Sequence, residues 1–323
     1  MENKRYYLEY ALQPQLSSRF PLAWPEIFSR EAPLAVEIGF GNGEFLVNWA
    51  RQVPEWDFIG FEISMASMER ALKRLHQQQI PNARPVHQDA RFGLREFFGD
   101  NTLSHVMMNF PDPWPKERHQ RRRLLDGDFV NLLAAVLKTD ACYELVTDQE
   151  WYAVHAHTLF RESPHFRVEA LELNPRRLVT TKYEKKWREM GRNSYRVLAR
   201  KQAAGAIKRL LEDVSMPHRF IESEINLEDI ELLTGLEYIE KERFFVVKSL
   251  YRAINRTHYL LHIVTKDAAY KQDVYISVAR QEDGRWLVKL DPSVQPYRTP
   301  AVKAAVWEIS RRLADTAGNR TAH

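Results

Sequence analysis

The chain has 323 residues, of which 44% are hydrophobic and 28% charged, and its formal net charge is +4 at pH 7. Since a typical domain has about 100–200 residues, this length predicts two domains in a globular protein. The chain contains no run of 18 or more apolar residues, so no transmembrane helix is predicted. The single cysteine, Cys142, excludes an internal disulfide and a cysteine zinc cluster. The start of the chain shows no apolar signal region. We therefore expect a cytoplasmic protein with no membrane partner and no metal.

Positive charge is concentrated in two stretches of the chain. Residues 176–201 carry ten Lys or Arg against two Glu, and residues 116–123 carry five against one. Charge gathered in this way favours a polyanionic partner such as a nucleic acid. The alternative is that the two stretches are simply solvated helix faces.

The first 30 residues contain Pro14, Pro21 and Pro25 and predict an irregular arm. After them, apolar runs alternate with segments of helical spacing, of which the first helix stops before Pro54 and the second has Ser64 as its N-cap. Predicted strands cover 34–41, 57–63, 83–90, 103–110, 142–148, 167–173 and 193–201, and predicted helices cover 44–54, 64–80, 92–98, 128–138 and 151–160. This alternation predicts βαβ units on a mostly parallel sheet.

Beyond about residue 203 the pattern changes to strand-like segments with turns, including a hairpin signal at Gly284, and helical spacing returns over 301–314. We therefore predict an N-terminal arm (1–30), an α/β domain (31–202) and a smaller C-terminal α+β domain (218–323). The C-terminal strands carry residues that could form a nucleic-acid face or pack as an ordinary sheet, namely Arg243, Phe244, Phe245, Tyr251, Arg252 and Tyr259. The net charge from Arg219 onward is close to zero, so this domain is a weak candidate for a dominant RNA contact.

A glycine-rich turn, Gly39-Phe40-Gly41-Asn42-Gly43, separates the first predicted strand from its helix. Nucleotide-type ligands bind at this position in doubly wound sheets. The spacing is one residue shorter than the Gly-x-Gly-x-x-Gly of dinucleotide sites, and Glu37 precedes it. A carboxylate at this position is a better partner for the cationic sulfonium and ammonium groups of S-adenosylmethionine than for the anionic pyrophosphate of a dinucleotide.

Two further acids follow the next two predicted strands. Glu62 is placed to accept hydrogen bonds from ribose hydroxyls, and Asp89 from an adenine amino group. Glu37 could instead be a strand-edge charge, and Asp89 could be a helix N-cap. Together with Glu37, Gly39 and Gly41 they predict a site for a nucleoside-type cofactor.

The segment after the fourth predicted strand is rich in proline, which stiffens it and could hold Asp112 and Trp114 in place at the sheet edge. A carboxylate beside an aromatic face suits a flat base, although Trp114 could also be core packing. The basic run 116–123, next to this edge, predicts phosphate contacts.

At this point the chain resembles a known family. Residues 109–125, NFPDPWPKERHQRRRLL, are similar to the signature of the tRNA (guanine-N7)-methyltransferases, known as TrmB in bacteria. Further similar blocks are VEIGFGNGEFL, IGFEI, HQDA, VTDQEWYA and TTKYEKKWREMGRNSYRV, and together they cover roughly residues 30–200. The C-terminal extension of about 120 residues departs from the compact bacterial members.

The resemblance implies a Rossmann-like class I S-adenosylmethionine-dependent methyltransferase that makes 7-methylguanosine in tRNA, usually at position 46 of the variable loop. It implies Asp112 as the active-site aspartate that also approaches the cofactor, beside the cofactor contacts Glu37, Glu62 and Asp89. The implied substrate-binding residues are Lys116, Asp148, Thr181, Lys182, Tyr183 and Glu184, of which the last four belong to a segment that closes over the guanine. The oligomeric state, monomer or homodimer, stays open.

Guanine N7 carries a lone pair and no proton, so the predicted reaction needs positioning and electrostatics rather than a base. Acids near the base, Asp112, Asp148 and Glu184, could accept from guanine N1–H and N2–H₂, which adenine lacks. We expect Arg176, Arg177, Lys185, Lys186, Arg188 and Arg192 to follow the phosphates. The alternatives are a methyltransferase of rRNA or protein, an NAD-dependent dehydrogenase, and a non-catalytic RNA-binding protein.

Overall fold

The computed structural model describes residues 5–114, 123–180, 184, 186, 189–254 and 256–321. The chain divides into two compact units. The first contains Phe20–Lys208 and the described residues before Gln15, and the second contains Gln15–Arg19 and the chain from Arg209 onward. No helix in these described ranges is long and apolar enough to cross a membrane.

An eight-stranded sheet forms the centre of the first unit. Its strands are β1 (Leu34–Ile38), β2 (Asp57–Glu62), β3 (Ala83–His87), β4 (Leu103–Asn109), β5 (Leu137–Thr147), β6 (Phe166–Val168), β7 (Glu172–Leu173) and β8 (Tyr195–Lys201). The order is β3-β2-β1-β4-β5-β8-β6, with β7 also paired to β8. The first five strands in this order are parallel and β8 runs antiparallel to β5, which confirms the predicted mostly parallel sheet.

Helices cover this sheet. They are α1 (Arg5–Tyr10), α2 (Trp24–Phe28), α3 (Glu44–Gln52), α4 (Met65–Gln77), α5 (Ala90–Phe97), α6 (Gly127–Val136) and α7 (Glu150–Glu162). The strand order steps outward from β1 to β3 and then returns across β1 to β4. Because crossovers between parallel strands are right-handed, α3 and α4 lie on one face and α5, α6 and α7 on the other. All five residues of β1 are buried, as expected for a central strand covered on both faces.

Local sequence signals explain several helix starts. Ser64 caps α4 as predicted, since its hydroxyl accepts from the Ser67 amide at 3.3 Å. Asp126 caps α6 in the same way through the Phe129 amide at 2.8 Å. These caps set the chain direction at the ends of the loops that leave the sheet.

Two expectations for the first unit are wrong. Within the described residues 5–30 the arm is not wholly irregular, because it contains α1, which packs on α4, and α2, which buries Trp24 against Phe98 with ring centroids 4.8 Å apart. The predicted strand 167–173 is broken into β6 and β7. Aromatic burial in the arm and the separate pairing of β6 and β7 with β8 explain both differences.

The second unit is built on a six-stranded antiparallel sheet in the order β10-β11-β12-β13-β14-β9. Its elements are β9 (His218–Ile221), α8 (Leu227–Glu231), β10 (Glu237–Glu240), β11 (Arg243–Arg252), β12 (His258–Asp267), β13 (Tyr270–Arg280), β14 (Trp286–Leu290) and α9 (Pro300–Thr321). The hairpin predicted at Gly284 joins β13 to β14. The apolar face of α9 packs on one side of the sheet.

The aromatic residues of this sheet do not share one face. Phe245 and Tyr259 are buried in the core beneath α9, whereas Tyr251 is 53% exposed. Ordinary sheet packing therefore accounts for Phe245 and Tyr259.

Candidate active site at the carboxyl edge of the parallel sheet

The glycine turn follows β1 at the carboxyl edge of the sheet. Gly39 and Gly41 have φ values of +68° and +54°, a conformation that side chains disfavour, and a Cβ on either would meet nothing within 4 Å. Open space therefore lies over this backbone. Gly43 differs, because a Cβ there would lie 2.6 Å from the Cβ of Ala71 on α4. The turn combines an open cradle at Gly39 and Gly41 with tight helix packing at Gly43.

Glu62, the last residue of β2, and Asp89, which comes after β3, both accept hydrogen bonds from backbone amides. Glu62 accepts from Gly41 N–H through Oε2 at 2.9 Å and from Ile63 and Ser64 N–H through Oε1. Asp89 is exposed and is the N-cap of α5, because its Oδ1 accepts from the Phe92 amide at 3.0 Å. Both carboxylates lie at the same sheet edge as the glycine turn.

Glu37, the acid within β1, is 2% exposed. Its Oε1 accepts from Asn109 Nδ2 at 3.1 Å, and its Oε2 has no hydrogen-bond partner within the described part of the chain. Burial raises its pKa to about 8, although Asn109 and the charge of Arg177 act in the opposite direction. A buried carboxylate oxygen without a partner beside an open glycine turn fits a cationic group of a ligand.

Arg177 connects Glu37 to the segment after β7. Its side chain is 3% exposed, and its Nη2 donates to Asn109 Oδ1 at 2.6 Å. Its Nη1 lies 3.1 Å from Glu184 Oε2, and Glu184 is itself 2% exposed. The guanidinium also lies 4.9 Å from the ring centroid of Phe45 on α3. The expectation that Arg177 contacts phosphates is therefore wrong, because its charge is used inside the first unit.

Glu144 extends this buried group of charges along β5. Its Oε1 lies 3.7 Å from Arg177 Nε, and its Oε2 lies 3.4 Å from His105 Nε2. Burial raises the pKa of Glu144, but His105, Arg177 and Arg196 outweigh that effect and lower it. Burial lowers the pKa of His105, but Cys142 and Glu144 raise it to about 9. The neighbouring carboxylate of Glu144 thus favours the charged form of His105.

Asp112 lies in the stiff segment after β4 and is exposed. Two bulky residues in the left-handed region flank it, Phe110 at φ 44° and Trp114 at φ 45°. Non-glycine residues in this region cost about 1–3 kcal/mol each, so the surrounding structure must hold them there. Arg123 does so at one end, because its Nε and Nη2 donate to the Trp114 carbonyl at 3.1 and 2.9 Å. Its guanidinium also lies 5.0 Å from the ring centroid of Trp151. The contacts of Arg123 are therefore made within the chain, unlike the phosphate contacts predicted for the basic run 116–123.

Of the remaining predicted substrate residues, some lie within the described part of the chain and others lie outside it. Asp148 follows β5 at the same edge, is half-buried and accepts from Gln149 Nε2 at 3.0 Å. Lys116, Thr181, Lys182 and Tyr183 lie outside the described residues, as do Lys185 and Arg188. Glu184 is the described member of the Thr-Lys-Tyr-Glu segment.

Arg176 and Arg192 come together at the base of the loop that carries this segment. Asn174 N–H donates to the Ser194 carbonyl at 2.7 Å, and Ser194 N–H donates back to Asn174 Oδ1 at 3.0 Å, which closes the loop. Arg176 and Arg192 are exposed and line one open cavity of about 350 Å³ together with Asn174, Gly191 and Asn193. No carboxylate lines this cavity, so its described walls are neutral or positive.

The sequence reasoning missed His105, Glu144 and the role of Asn109. A charged residue in the interior of a buried strand was the available signal, since His105 and Glu144 lie within the apolar runs of β4 and β5. Asn109 carried no comparable signal, because an amide at a strand end is common.

The strand order and the glycine turn at its switch point define a class I methyltransferase domain. A family described as putative methyltransferase matches residues 31–197. A tRNA (guanine-N(7)-)-methyltransferase from Thermotoga maritima is 45% identical over 94% of this chain and 97% of its own length. The chain belongs to the tRNA (guanine-N7)-methyltransferase family.

Other relatives match different lengths of the chain. The protein of that name from Thermus thermophilus is 34% identical over 93% of this chain, whereas the one from Nitrosococcus oceani is 36% identical over 53%. The relatives therefore differ in how much of this chain they match. Among solved structures, an antibiotic-related methyltransferase covers 59% of this chain at 16% identity with a TM-score of 0.41.

Proposed function

We propose that the chain transfers the methyl group of S-adenosylmethionine to N7 of guanosine 46 in the variable loop of tRNA. The family supports methyl transfer to guanine N7 in tRNA. The observation that carries the proposal is the buried carboxylate of Glu37, with one oxygen lacking a partner, beside the open glycine turn and the rigid Asp112 segment. Position 46 rests on the resemblance of residues 109–125 and 181–184 to the family.

Each proposed cofactor-binding residue contacts a different part of the ligand. Glu37 accepts from the cationic methionine end, and the backbone of Gly39 and Gly41 lets the ligand approach closely. Glu62 already accepts three backbone N–H groups, so of about four lone-pair positions on a carboxylate one remains for a ribose hydroxyl. Asp89 keeps Oδ2 for the adenine amino group while Oδ1 caps α5.

S-adenosylmethionine supplies an electrophilic methyl group on a sulfonium sulfur. When the cofactor is bound, the lone pair of guanine N7 would take this methyl group while the S–C bonding electrons return to sulfur, so the residues of this chain would not have to move a proton. The base gains positive charge in this step. We assign to Asp112, in the segment that follows β4 at the carboxyl edge of the sheet, the stabilisation of that charge. Catalysis by this chain is thus placement and electrostatics.

Guanine is selected by acceptors at its Watson–Crick edge. Asp148 lies at the same sheet edge as Asp112. Glu184 is buried against Arg177, so it accepts from the base only when that ion pair opens. Carboxylates accept from N1–H and N2–H₂ of guanine, and adenine leaves them unpaired. Lys116, Thr181, Lys182 and Tyr183 complete the proposed substrate site by the family resemblance.

The tRNA backbone contacts the cavity at the base of the loop. Arg176 and Arg192 place two guanidinium groups beside neutral amides and are exposed to solvent. Guanidinium groups bind phosphate oxygens in a bidentate manner. We also propose that residues 31–202 form the catalytic domain, that residues 218–323 form a second domain, and that the protein works in the cytoplasm.

The decisive experiment is methylation of bulk tRNA with labelled S-adenosylmethionine, followed by mapping of the modified base. We expect 7-methylguanosine at position 46 and no labelling of a transcript in which that guanosine is replaced by adenosine. Labelling at another guanosine would overturn the position, and the absence of 7-methylguanosine in any tRNA would overturn the function. Binding of S-adenosylhomocysteine by calorimetry, in the same preparation, distinguishes a non-catalytic RNA-binding protein from an enzyme of another substrate.

A further inference from the structure

An open cavity of about 300 Å³ in the first unit belongs to neither the cofactor site nor the guanine site proposed above. Its lining comes from α3 and the turn after it, from the strands β4, β5 and β8, and from residues 176–179 of the loop after β7. Among the described residues, none of the proposed cofactor or guanine contacts lines it. We name it the aromatic cavity, after the rings on its α3 side, Phe45, Trp49 and Trp56.

The α3 side of the aromatic cavity presents flat rings. The ring of Trp49 packs on those of Phe58 and His105, with centroids 4.8 and 5.1 Å apart, which fixes its position. Trp56 is half-buried, so part of its surface stays accessible. Nucleic-acid bases stack on such side chains whatever their sequence, because every base has a π-face. The volume is at the small end of the range of about 300–1,000 Å³ for ligand pockets, so it suits a single nucleotide.

The sheet side of the aromatic cavity presents polar groups whose hydrogen-bonding capacity is not used within the described residues. Glu144 lies 3.4, 3.7 and 3.9 Å from the nearest nitrogens of His105, Arg177 and Arg196, beyond the about 2.7–2.9 Å of a charge-assisted hydrogen bond. His105 Nε2 is buried and has no hydrogen-bond partner in this part of the chain. A carboxylate acceptor beside N–H donors matches the edge of a nucleobase, which carries a donor next to an acceptor.

The mouth of the aromatic cavity adds a cation and an apolar side chain. Arg176 is exposed and makes no ion pair or hydrogen bond with another described residue. Leu178, 74% exposed, lines the cavity beside it. Arg176 also lines the cavity at the base of the loop, where Arg192 lies and no carboxylate is present among the lining residues. One guanidinium thus joins two cavities, and guanidinium groups bind phosphate oxygens.

We propose that the aromatic cavity binds one unstacked nucleotide of the tRNA, other than the methylated guanosine, with its base against Trp49 and Trp56 and its phosphate on Arg176. This inference rests on the proposed function for its tRNA and adds a second nucleotide-binding site. Loops of a folded RNA supply such nucleotides, because their bases can leave the stack and pack on aromatic side chains.

The neighbouring cavity favours tRNA over a free mononucleotide as the occupant. A nucleotide within a chain has a phosphate on either side, so the backbone beyond Arg176 continues into the cavity that Arg192 lines. A tRNA segment therefore uses both cavities, whereas a free mononucleotide leaves the cavity at the base of the loop without a ligand.

The test compares full-length variants for their affinity for an unmodified tRNA transcript, measured by filter binding. Trp56→Leu keeps an apolar side chain but removes the ring, and the loss of base stacking should weaken binding about 5–150-fold. Trp56→Phe keeps a ring and should recover most of this affinity. Trp307→Leu makes the same replacement at a tryptophan of the second unit that is 49% exposed, and should leave the affinity unchanged. Since stacking carries no charge, the salt dependence of tRNA binding should be the same for Trp56→Leu as for the unmodified protein.

Two exposed leucines provide a second pair of variants. Leu178→Glu places a carboxylate at the mouth of the aromatic cavity, whereas Leu173→Glu places the same charge on β7, at a leucine that is 55% exposed and does not line the cavity. We expect the loss of tRNA affinity to be several-fold larger for Leu178→Glu. Unchanged affinity in the folded Trp56→Leu protein would overturn the proposal. If that variant does not fold, equal losses in the two leucine variants would overturn it.

Calorimetry with AMP, GMP, CMP and UMP distinguishes a free nucleotide from tRNA. We expect the unmodified protein to bind each of them more weakly than tRNA, because the contacts of the continuing backbone are absent. A mononucleotide that binds the unmodified protein but not Trp56→Leu, when both bind tRNA equally, would show that the cavity takes a free nucleotide and would overturn the proposal. All these affinities are equilibrium measurements that need no turnover. Formation of 7-methylguanosine at position 46 by a Trp56→Leu protein with unchanged tRNA affinity would therefore overturn the second site and leave the proposed function intact.

Discussion

Buried acids are held in different ways in the two units of the molecule. In the second unit Asp229, Asp267 and Asp291 are each less than 8% exposed, and each accepts from a backbone amide, of Asn226, Ala301 and Ser293. In the first unit Glu37, Glu144 and Glu184 are similarly buried, but side chains hold them: Arg177 pairs with Glu184, lies 3.7 Å from Glu144 and is linked to Glu37 through Asn109.

This difference separates acids that stabilise the fold from acids that serve a site. A carboxylate on a backbone amide cannot change partners unless the turn or helix end unfolds. A carboxylate held by an amide or guanidinium side chain can exchange that partner for a ligand by a rotamer change. The buried charge of Glu37, Glu144 and Glu184 therefore lies where binding can rearrange it, whereas that of Asp229, Asp267 and Asp291 closes turns and helix ends.

Replacing Arg177, the cation that Glu144 and Glu184 share, should have the largest effect on the free energy of unfolding. Arg177→Met leaves Glu184 and Glu144 buried with fewer positive neighbours, and breaking a buried pair in this way costs about 3–5 kcal/mol. Urea unfolding followed by tryptophan fluorescence measures this loss. Arg200→Met, which breaks an exposed pair with Glu169, is the control and should cost about 0–1 kcal/mol. Equal losses in the two variants would contradict the distinction between buried and exposed pairs.

Removing the charge of Asp112 should affect turnover and not stability. Asp112→Asn keeps the shape of the side chain, and loss of one electrostatic contact to a transition state lowers kcat by about 10²–10³-fold. We expect little change in the affinity for S-adenosylhomocysteine and in the unfolding midpoint, because Asp112 is exposed. Single-turnover methylation of a tRNA transcript is the measurement, and near-normal turnover would rule out an essential electrostatic role.

Protonation of Glu37 should make cofactor binding depend on pH. Its pKa is raised by burial to about 8 in the ligand-free protein, and a cationic ligand group binds the ionised form. The proton must therefore leave on binding below this value, and the dissociation constant for S-adenosylhomocysteine should fall about tenfold per unit as pH rises from 6 toward 8. Calorimetry in buffers of different ionisation enthalpy detects the released proton. Glu37→Gln should bind more weakly and lose this part of the pH dependence; a pH profile unchanged by the substitution would argue against the assignment.

Removing an acid that binds a backbone amide in the second unit should reduce stability alone. Asp267→Ala leaves the buried amide of Ala301, in the first turn of α9, without this acceptor, which costs about 1–3 kcal/mol. Thermal unfolding measures the loss. At a temperature where the variant is folded we expect unchanged kcat and KM, and a specific loss of turnover there would show that the second unit takes part in the reaction.

The smallest effects should come from the two exposed arginines at the base of the loop, Arg176 and Arg192. Arg176→Ala and Arg192→Ala each remove one proposed phosphate contact, so the slope of the logarithm of tRNA affinity against the logarithm of salt concentration should decrease by about one. The unfolding midpoint should stay the same, unlike that of Arg177→Met. Filter binding over a salt series gives the slope. An unchanged slope in the double variant would show that the cavity at the base of the loop does not bind tRNA phosphates.

Chain order alone determined the part of the site that depends on strand ends. Glu37, Glu62, Asp89, Asp112 and Asp148 lie in or directly after successive parallel strands, and the carboxyl ends of such strands meet at one edge. The glycine spacing and the hydrophobic periods likewise determined the element types, because each depends on neighbours a few residues away. The helices α1 and α2 of the N-terminal arm were not predicted, because both are short and are held in place by packing rather than by local sequence preference.

Tertiary structure decided which charges face inward. Arg176 and Arg177 are neighbours in an irregular loop, where no period of 2.0 or 3.6 residues assigns a side chain to a face. Arg177 is buried because Asn109, 68 residues earlier, and Glu184 receive its guanidinium, whereas Arg176 lies over a cavity without a carboxylate. The sequence therefore determined that the loop is basic. Partners far apart along the chain decided that one of its arginines belongs to the interior and two of the others to the surface.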